Sequence, residues 1–155
     1  MSAQKVAVDL SSANAVKQCG LGELHVDDLG RTWEYVQANG AVAAGEWVLI
    51  PNGNDAVKLT TTNAASVGQK VGIAHFAFAD NEFGWVFRGN GDFEAIITNA
   101  HSAAALLTTT GTDGEAGAGG VALDGARAID AGVTSTRVTV HCPLLLTVGV
   151  AAASD

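Results

Sequence analysis

The chain contains two stretches that read like loose copies of each other, and this echo limits the folds open to it. At offsets of 50, 48 and 48 positions, the echo pairs residues 35–36 with 85–86, 59–62 with 107–110, and 72–74 with 120–122. A second alignment sets residues 43–45 against 103–105 at an offset of 60. Because the repeated residues are mainly glycine, threonine and β-formers, we expect a duplicated β unit of the kind that builds small barrels and sandwiches.

Alternation of apolar and polar residues predicts short strands along most of the chain. The turn at residues 27–30 ends in glycine and separates two β-like runs, 22–26 and 31–38, which is a good hairpin signal. Runs of this kind predict roughly nine to eleven strands. Only residues 100–107 combine into a helix-like stretch, and the glycine-rich residues 111–120 are expected to form a mobile loop. We therefore expect an all-β fold, a small barrel or sandwich of short antiparallel strands with at most one or two short helices.

Charged side chains are scarce, which narrows the partners open to the protein. They make up 15% of the residues, against about 25% in an average soluble protein, and the net charge is −8. The lysines and arginines form no basic patch, so we expect no nucleic acid as a partner. An acidic chain without a run of about 20 apolar residues is not expected at a membrane. A surface so short of charge favours contact with other chains, so we expect an oligomer or an assembly component.

The residue types that carry catalysis are present but scattered. The four histidines have no metal-ligand spacing. Cys19 and Cys142 are the only cysteines, and they are expected to be buried free thiols rather than a disulfide, because no secretory leader pattern is present and the chain is expected to be made in the cytoplasm. Neither a Gly-x-Ser-x-Gly elbow nor a phosphate-binding glycine loop occurs.

Two pairs of acids remain as candidates for chemistry. Asp27-Asp28 and Asp92 with Glu94 could in principle serve glycoside hydrolysis, which needs two carboxylates at a set separation. The first pair falls in a predicted turn and the second on a short predicted strand, so solvated acids are the better interpretation. We therefore predict no catalytic residue, no metal site, no cofactor and no enzyme activity.

Six apolar side chains are the candidate partner or subunit interface. Residues 1–20 are expected to form an N-terminal arm or edge strand, and residues 21–155 a single β-rich domain. In the arm, apolar residues alternate with polar or small ones, and large aromatic residues in strands are often interface anchors. The candidates are Val6, Val8, Leu10, Trp33, Trp47 and Trp85. As an alternative, the three tryptophans could form a sugar-stacking platform in a carbohydrate-binding or tail-fibre module.

The order of short motifs along the chain resembles that of the small head-decoration, or cement, proteins of tailed bacteriophages. The resemblance covers most of the chain beyond residue 20 and is carried by residues 21–22, 28–36, 41–46, 71–74, 83–89 and 120–122. These segments include Leu-Gly-Arg-Thr-Trp-Glu-Tyr-Val at 29–36 and Phe-Gly-Trp-Val-Phe-Arg-Gly at 83–89. The longer segment at 100–120 departs from the family pattern.

The resemblance implies a β-rich protein without enzyme activity that attaches to the outside of an icosahedral head, commonly as a trimer, and reinforces the shell. It implies the major capsid protein and further copies of the chain as partners, and the exterior of the virion as its location. On this interpretation Val6, Val8 and Leu10 add a strand to an edge of a capsid protein.

Overall fold

The computed structural model describes residues 9–51, 54–66, 68–98, 102–118, 120–129 and 136–147. Within these ranges the chain is almost entirely β-structure, and its one helical segment is a single 3-10 turn at Asn63–Ala65. The eleven strands are β1 Leu24–Val26, β2 Thr32–Ala38, β3 Trp47–Ile50, β4 Asp55–Lys58, β5 Lys70–Ala74, β6 Phe83–Gly89, β7 Gly91–Ile97, β8 Leu106–Thr109, β9 Ala116–Gly117, β10 Ala122–Ala128 and β11 Thr136–Cys142. The predicted all-β class and the predicted number of strands are confirmed.

The strands form two closed five-stranded barrels that follow each other along the chain. Barrel 1 has the order β2-β4-β3-β5-β6, with β6 pairing back to β2, and β1 adds to β2 outside the ring. Barrel 2 has the order β7-β9-β8-β10-β11, with β11 pairing back to β7. In each barrel the first pair is parallel, β2 with β4 and β7 with β9, and every other pair is antiparallel. The two barrels therefore share one topology.

The pairing registers place the duplication at a different offset from the main sequence alignment. Ala38 pairs with Ala56 in barrel 1 as Ile97 pairs with Ala116 in barrel 2, which sets the first three strands of the barrels about 59 or 60 positions apart. The predicted offsets of 50 and 48 are wrong. Tyr35 and Trp85 are cross-strand partners within barrel 1, and Leu59 follows β4 whereas Leu107 lies in β8. The alternative offset of 60 is close to the observed one.

The turn before β3 in barrel 1 matches the turn before β8 in barrel 2, which supports this equivalence. Gly45 and Ala104 both adopt left-handed backbone conformations, with φ of 85° and 62°. Their N–H groups donate to equivalent carbonyls, Gly45 to Ala74 at 2.7 Å and Ala104 to Ala128 at 2.9 Å. The helix predicted over residues 100–107 is therefore wrong for the part that the structure describes, because residues 103–104 turn and Leu106 begins β8.

Part of the glycine-rich stretch, where a mobile loop was predicted, forms a strand. Ala116 and Gly117 form β9, which closes barrel 2, and both residues are buried. A side chain at position 117 would meet the Thr98 carbonyl oxygen at 2.5 Å from its Cβ, so only glycine allows this close strand approach. Glycine content here marks tight packing rather than flexibility.

Each barrel encloses a core, and the core of barrel 2 continues onto the outside of barrel 1. The interior of barrel 1 is thin and contains mainly small residues: Val36, Ala38, Val42, Val48, Ile50, Ala56, Ala74, Phe78 and Val86. A second buried cluster joins the outward-facing aromatic residues of barrel 1, such as Trp47, to the interior of barrel 2, including Leu107 and Val140. Phe87 of barrel 1 and Phe93 of barrel 2 stack with ring centroids 4.6 Å apart. The two barrels are thus packed through one continuous apolar cluster.

A buried ion pair closes one end of the barrel 1 interior. Glu34 and Arg88 are both 3% exposed, and the Arg88 Nη1 lies 3.5 Å from the Glu34 Oε1. The Lys70 Nζ lies 3.1 Å from the other carboxylate oxygen. Burial lowers the pKa of Arg88, and the negative charge of Glu34 partly offsets this effect. From the strand registers, the equivalent positions in barrel 2 hold Phe93 and Cys142, so only barrel 1 carries this charge.

Residues 143–147, here called the C-terminal clasp, connect the ion pair to both barrels. The Leu145 carbonyl oxygen accepts from the Arg88 Nη2 at 3.0 Å and from the Val71 N–H at 3.0 Å. The Asp124 N–H of barrel 2 donates to the Leu146 carbonyl at 2.9 Å. Arg88 therefore helps to hold the segment that links β5 of barrel 1 to β10 of barrel 2.

Candidate docking surface

The hairpin between β1 and β2 forms as the sequence predicts, because one aspartate organises its turn. The Asp27 carboxylate accepts hydrogen bonds from the Leu29 and Arg31 N–H groups, from the Arg31 Nε at 2.7 Å and from the Trp33 Nε1 at 3.0 Å. Gly30 supplies the left-handed residue of the turn, with φ of 79°. Burial of the Asp27 carboxylate opposes ionisation, but the hydrogen bonds outweigh it, so the pKa of Asp27 is lowered below 3.8.

Three aliphatic side chains of this hairpin are open to solvent. Leu24 is 63% exposed, Val26 is 61% exposed and Leu29, in the turn, is 75% exposed. We call these three residues the hairpin patch. A cluster of uncovered aliphatic side chains on one small element is a common mark of a protein-binding surface.

The backbone of β1 is also unpaired along one edge within the described part of the chain. Glu23 and Asp27 bond to β2 on either side of the central pair His25 and Trp33. Because an antiparallel strand alternates its bonding direction, the N–H and C=O groups of Leu24 and Val26 point away from β2. The hairpin patch therefore includes a strand edge whose N–H and C=O groups can bond to another strand.

A groove lies beside β1, on the face of the hairpin that carries His25. Its volume is about 650 Å³, and it is lined by Lys17, Gln18, Cys19, Gly20, Glu23, Leu24, His25 and Trp85. Burial and the nearby Glu23 carboxylate raise the pKa of the Cys19 thiol, so this thiol is protonated at neutral pH and is a poor nucleophile. The groove has the character of a packing surface more than of a reaction site.

The structure places the predicted interface residues in three different environments. Val6 and Val8 lie outside the described residues. Leu10 is half-buried against the core. Trp33, Trp47 and Trp85 are only 2%, 0% and 4% exposed.

The three tryptophan side chains are buried and make contacts within the single chain. The candidate docking surface therefore does not include them. The Trp47 Nε1 donates to the Ile96 carbonyl of barrel 2 at 3.1 Å. Trp33 packs edge-to-face on Phe87 and Phe93. Period-two alternation could not separate a core position from an interface position here, since both faces of the barrel 1 wall are buried.

The second surface feature is a polar groove between the barrels, lined mainly by Arg31, His75, Asp92, Phe93, Glu94, Arg137 and Thr139. The acids predicted as a possible pair lie on the outer face of β7 and each faces a basic group on β11. The Asp92 carboxylate is 2.6 Å from the His141 Nδ1, and the Glu94 carboxylate is 3.9 Å from the Arg137 Nη2. Burial, together with the positive charges of Arg137 and Arg31, lowers the pKa of His75.

The chemistry available in this groove is limited. Asp92 and His141 could relay a proton, but neither serine nor cysteine is among the described residues that line the groove beside them. Across the described ranges, histidine, cysteine and acidic side chains nowhere gather in threes that could hold a metal ion. The same ranges contain no helix with the length and apolar character to cross a membrane.

Neither a scan against protein-family models nor a search of curated protein sequences finds a match for this chain.

The hairpin patch is the feature that sequence reasoning missed, although a signal was present. The acidic pair at 27–28 is preceded by Leu24 and Val26 and followed by Leu29. The β-like run before this turn is too short to bury its own side chains. A three-residue strand that ends in such a turn indicates an edge strand, and its aliphatic side chains are then the ones that need a partner.

Proposed function

We propose that this chain is a structural component of a phage virion that binds the outer surface of the capsid and stabilises the head. The single observation that carries the proposal is the hairpin patch: uncovered aliphatic side chains on an unpaired strand edge, in a chain with few charges. Such a surface suits contact with other protein chains. The resemblance of the sequence to head-decoration proteins supplies the capsid as the partner.

The two-barrel architecture supports this role through its stiffness. One apolar cluster spans both barrels, and the C-terminal clasp bonds to both. A rigid body that contacts several neighbouring capsid subunits would add its binding free energy to the assembled lattice only. Many weak copies would then resist expansion of the shell through avidity.

The carbohydrate-binding alternative has less support. It relied on Trp33, Trp47 and Trp85 as a stacking platform, and these rings have almost no exposed surface. Sugar recognition by stacking requires an accessible aromatic face. We therefore keep capsid binding as the proposed function.

The test is co-sedimentation of the full chain with expanded empty heads from the phage that encodes it, stripped of accessory proteins. We expect saturable binding and heads that withstand higher temperature or chelator concentration once loaded. Unexpanded procapsids are the matched control. Absence of binding to expanded heads, combined with saturable binding to a glycan array, would overturn the proposal in favour of the carbohydrate module.

A further inference from the structure

We infer that the free edge of β1 receives the N-terminal arm of a second copy of this chain as an added strand. This inference concerns self-association in solution and does not depend on the proposed function. It assigns the β1 edge of the hairpin patch to a contact between copies, and the oligomer would then meet the head through other surfaces. It also assigns a different acceptor to the arm from the capsid edge expected from the sequence. The occupant named here is residues 4–8, Gln-Lys-Val-Ala-Val.

The first argument is geometric. β1 offers the N–H and C=O groups of Leu24 and Val26 on its outer edge. An extended segment of five residues spans about 17 Å, which is longer than the three-residue strand that it would cover. Strand addition of this kind gains main-chain hydrogen bonds, while alternate side chains fit the surface beside the edge.

The second argument is the match of side chains. Val6 and Val8 are two positions apart, as are Leu24 and Val26. In the register that sets Val6 or Val8 directly opposite Leu24, both aliphatic pairs fall on the same face of the sheet, whichever direction the added strand runs. The added strand would therefore cover the two side chains that β1 leaves exposed.

The third argument is charge. The hairpin carries three acids, Glu23, Asp27 and Asp28, of which Asp27 pairs with Arg31 within the hairpin, so the hairpin keeps a net negative charge. The arm carries Lys5 beside its two valines. The competing occupant is β1 of a second copy. Antiparallel pairing of β1 with itself about His25 would set Glu23 opposite Asp27 twice, and like charges directly opposite each other are destabilising. The arm brings a cation to the same edge and avoids that repulsion.

Cross-linking between two differently marked copies tests the inference. Both copies carry Cys19→Ser, and the buried Cys142 remains as the unreactive background thiol. One copy carries Leu24→Cys and the other carries Val6→Cys or Val8→Cys, and the mixed oligomer is treated with a short bis-maleimide. We expect a covalent dimer between the two kinds of copy, and whether position 6 or position 8 reacts faster reports the strand direction. Ala7→Cys is the matched control, because its side chain points to the opposite face and should give little product.

Two results would overturn the inference. One is a yield no higher with Val6→Cys or Val8→Cys than with Ala7→Cys. The other comes from a further variant that carries Leu24→Cys and Val8→Cys in the same chain: cross-linking within that monomer, without a covalent dimer between copies, would mean that the arm covers its own β1.

The mass in solution gives an independent readout on the full chain. Leu24→Asp with Val26→Asp should shift sedimentation from an oligomer to the 15.7 kDa monomer, with the far-ultraviolet circular dichroism unchanged. Leu106→Asp, at another exposed leucine, should leave the oligomer intact. A doubly substituted variant that keeps its oligomeric mass would refute the use of this edge. Because heads are absent from both experiments, failure here leaves the head-binding result to stand or fall separately.

Discussion

Replacement of Arg88 by methionine should be among the most destabilising single changes in this protein. Arg88 is buried, pairs with the Glu34 carboxylate, and donates to the carbonyls of Val71 and Leu145 at 2.9 and 3.0 Å. Methionine fills part of the same space but supplies no donor and no charge. Arg88→Met therefore leaves a buried carboxylate with only Lys70 beside it, and it removes one bond that holds the C-terminal clasp.

The expected cost follows from these contacts. Breaking a buried ion pair by removing one partner costs about 3–5 kcal/mol, because the remaining charge stays buried. Replacing both partners with apolar residues is often close to neutral. Barrel 2 provides a precedent within the same chain, since the equivalent positions there hold Phe93 and Cys142. We therefore expect Arg88→Met to cost about 3–5 kcal/mol and Glu34→Leu with Arg88→Met to recover about 2 kcal/mol or more of that loss.

Equilibrium unfolding in urea measures these differences. With a slope of about 2 kcal/mol per M for a chain of this size, Arg88→Met should lower the urea midpoint by about 1.5–2.5 M. Arg127→Met is the matched control, because Arg127 is exposed and donates to the Ala104 carbonyl from the surface. It should change the free energy of unfolding by no more than about 0.5 kcal/mol. A loss below about 1 kcal/mol for Arg88→Met, or strictly additive effects in the double variant, would refute the account of the buried pair.

Three further outcomes follow from the described geometry. Ala104→Gly should stabilise the fold by about 0.5–1 kcal/mol in thermal unfolding, because the left-handed conformation is strained for alanine. Ala103→Gly in the same turn is the control and should not stabilise the fold. Equal effects of the two changes would contradict this reasoning. Burial raises the pKa of Cys142 to about 12. A thiol reagent at pH 8 should therefore label at most Cys19 in the native protein and both cysteines in urea. Rapid labelling of Cys142 in the native protein would show that this side chain is not buried. The lowered pKa of Asp27 means that its ionised form contributes stability above pH 3.8, which is lost as the pH falls through the folded-state pKa. The gap in unfolding free energy between the native protein and Asp27→Asn should therefore be constant above about pH 5 and narrow below pH 3.8, and a constant gap at all pH values would refute the role of the ionised carboxylate.

Local structure could be predicted from the sequence wherever one short segment decides it. The hairpin at residues 27–30 needed only an aspartate that bonds its own turn and a glycine that accepts a positive φ. The alternation along β2 likewise fixed its two faces. The number of strands followed from counting such runs and the turns between them.

The pairing of distant strands could not be predicted in the same way. The main alignment of the repeat matched glycines, threonines and β-formers, and the alternative matched the alanine-rich residues 43–45 with 103–105. Only the strand registers and the hydrogen bonds around Gly45 and Ala104 decide between them. Burial of the tryptophans depends on barrel 2 and on residues 9–23 packing over barrel 1, which no local pattern encodes. The exposed Leu24 and Val26 escaped notice because a three-residue strand has too few positions to display a period.

The two barrels have the same topology but different outer faces, and the difference follows from what lies upstream of each. On barrel 1, the outer face of β2 and β6 carries Trp33, Tyr35 and Trp85, and residues 9–23 cover part of it: the Gln18 N–H donates to the Tyr35 hydroxyl at 2.8 Å, and Asn14 pairs with Phe83.

The equivalent outer face of barrel 2 carries Asp92, Glu94, Thr139 and His141. A single residue, Asn90, separates β6 from β7, so barrel 2 has no preceding segment that could cover this face. An apolar face at these positions would have remained in water at a cost of about 25 cal/mol per Å², and the paired charges avoid that cost. The same fold therefore presents aromatic residues where residues 9–23 supply a cover and polar residues at the equivalent positions of barrel 2. The hairpin patch departs from this rule, because it groups three exposed aliphatic side chains on one short element.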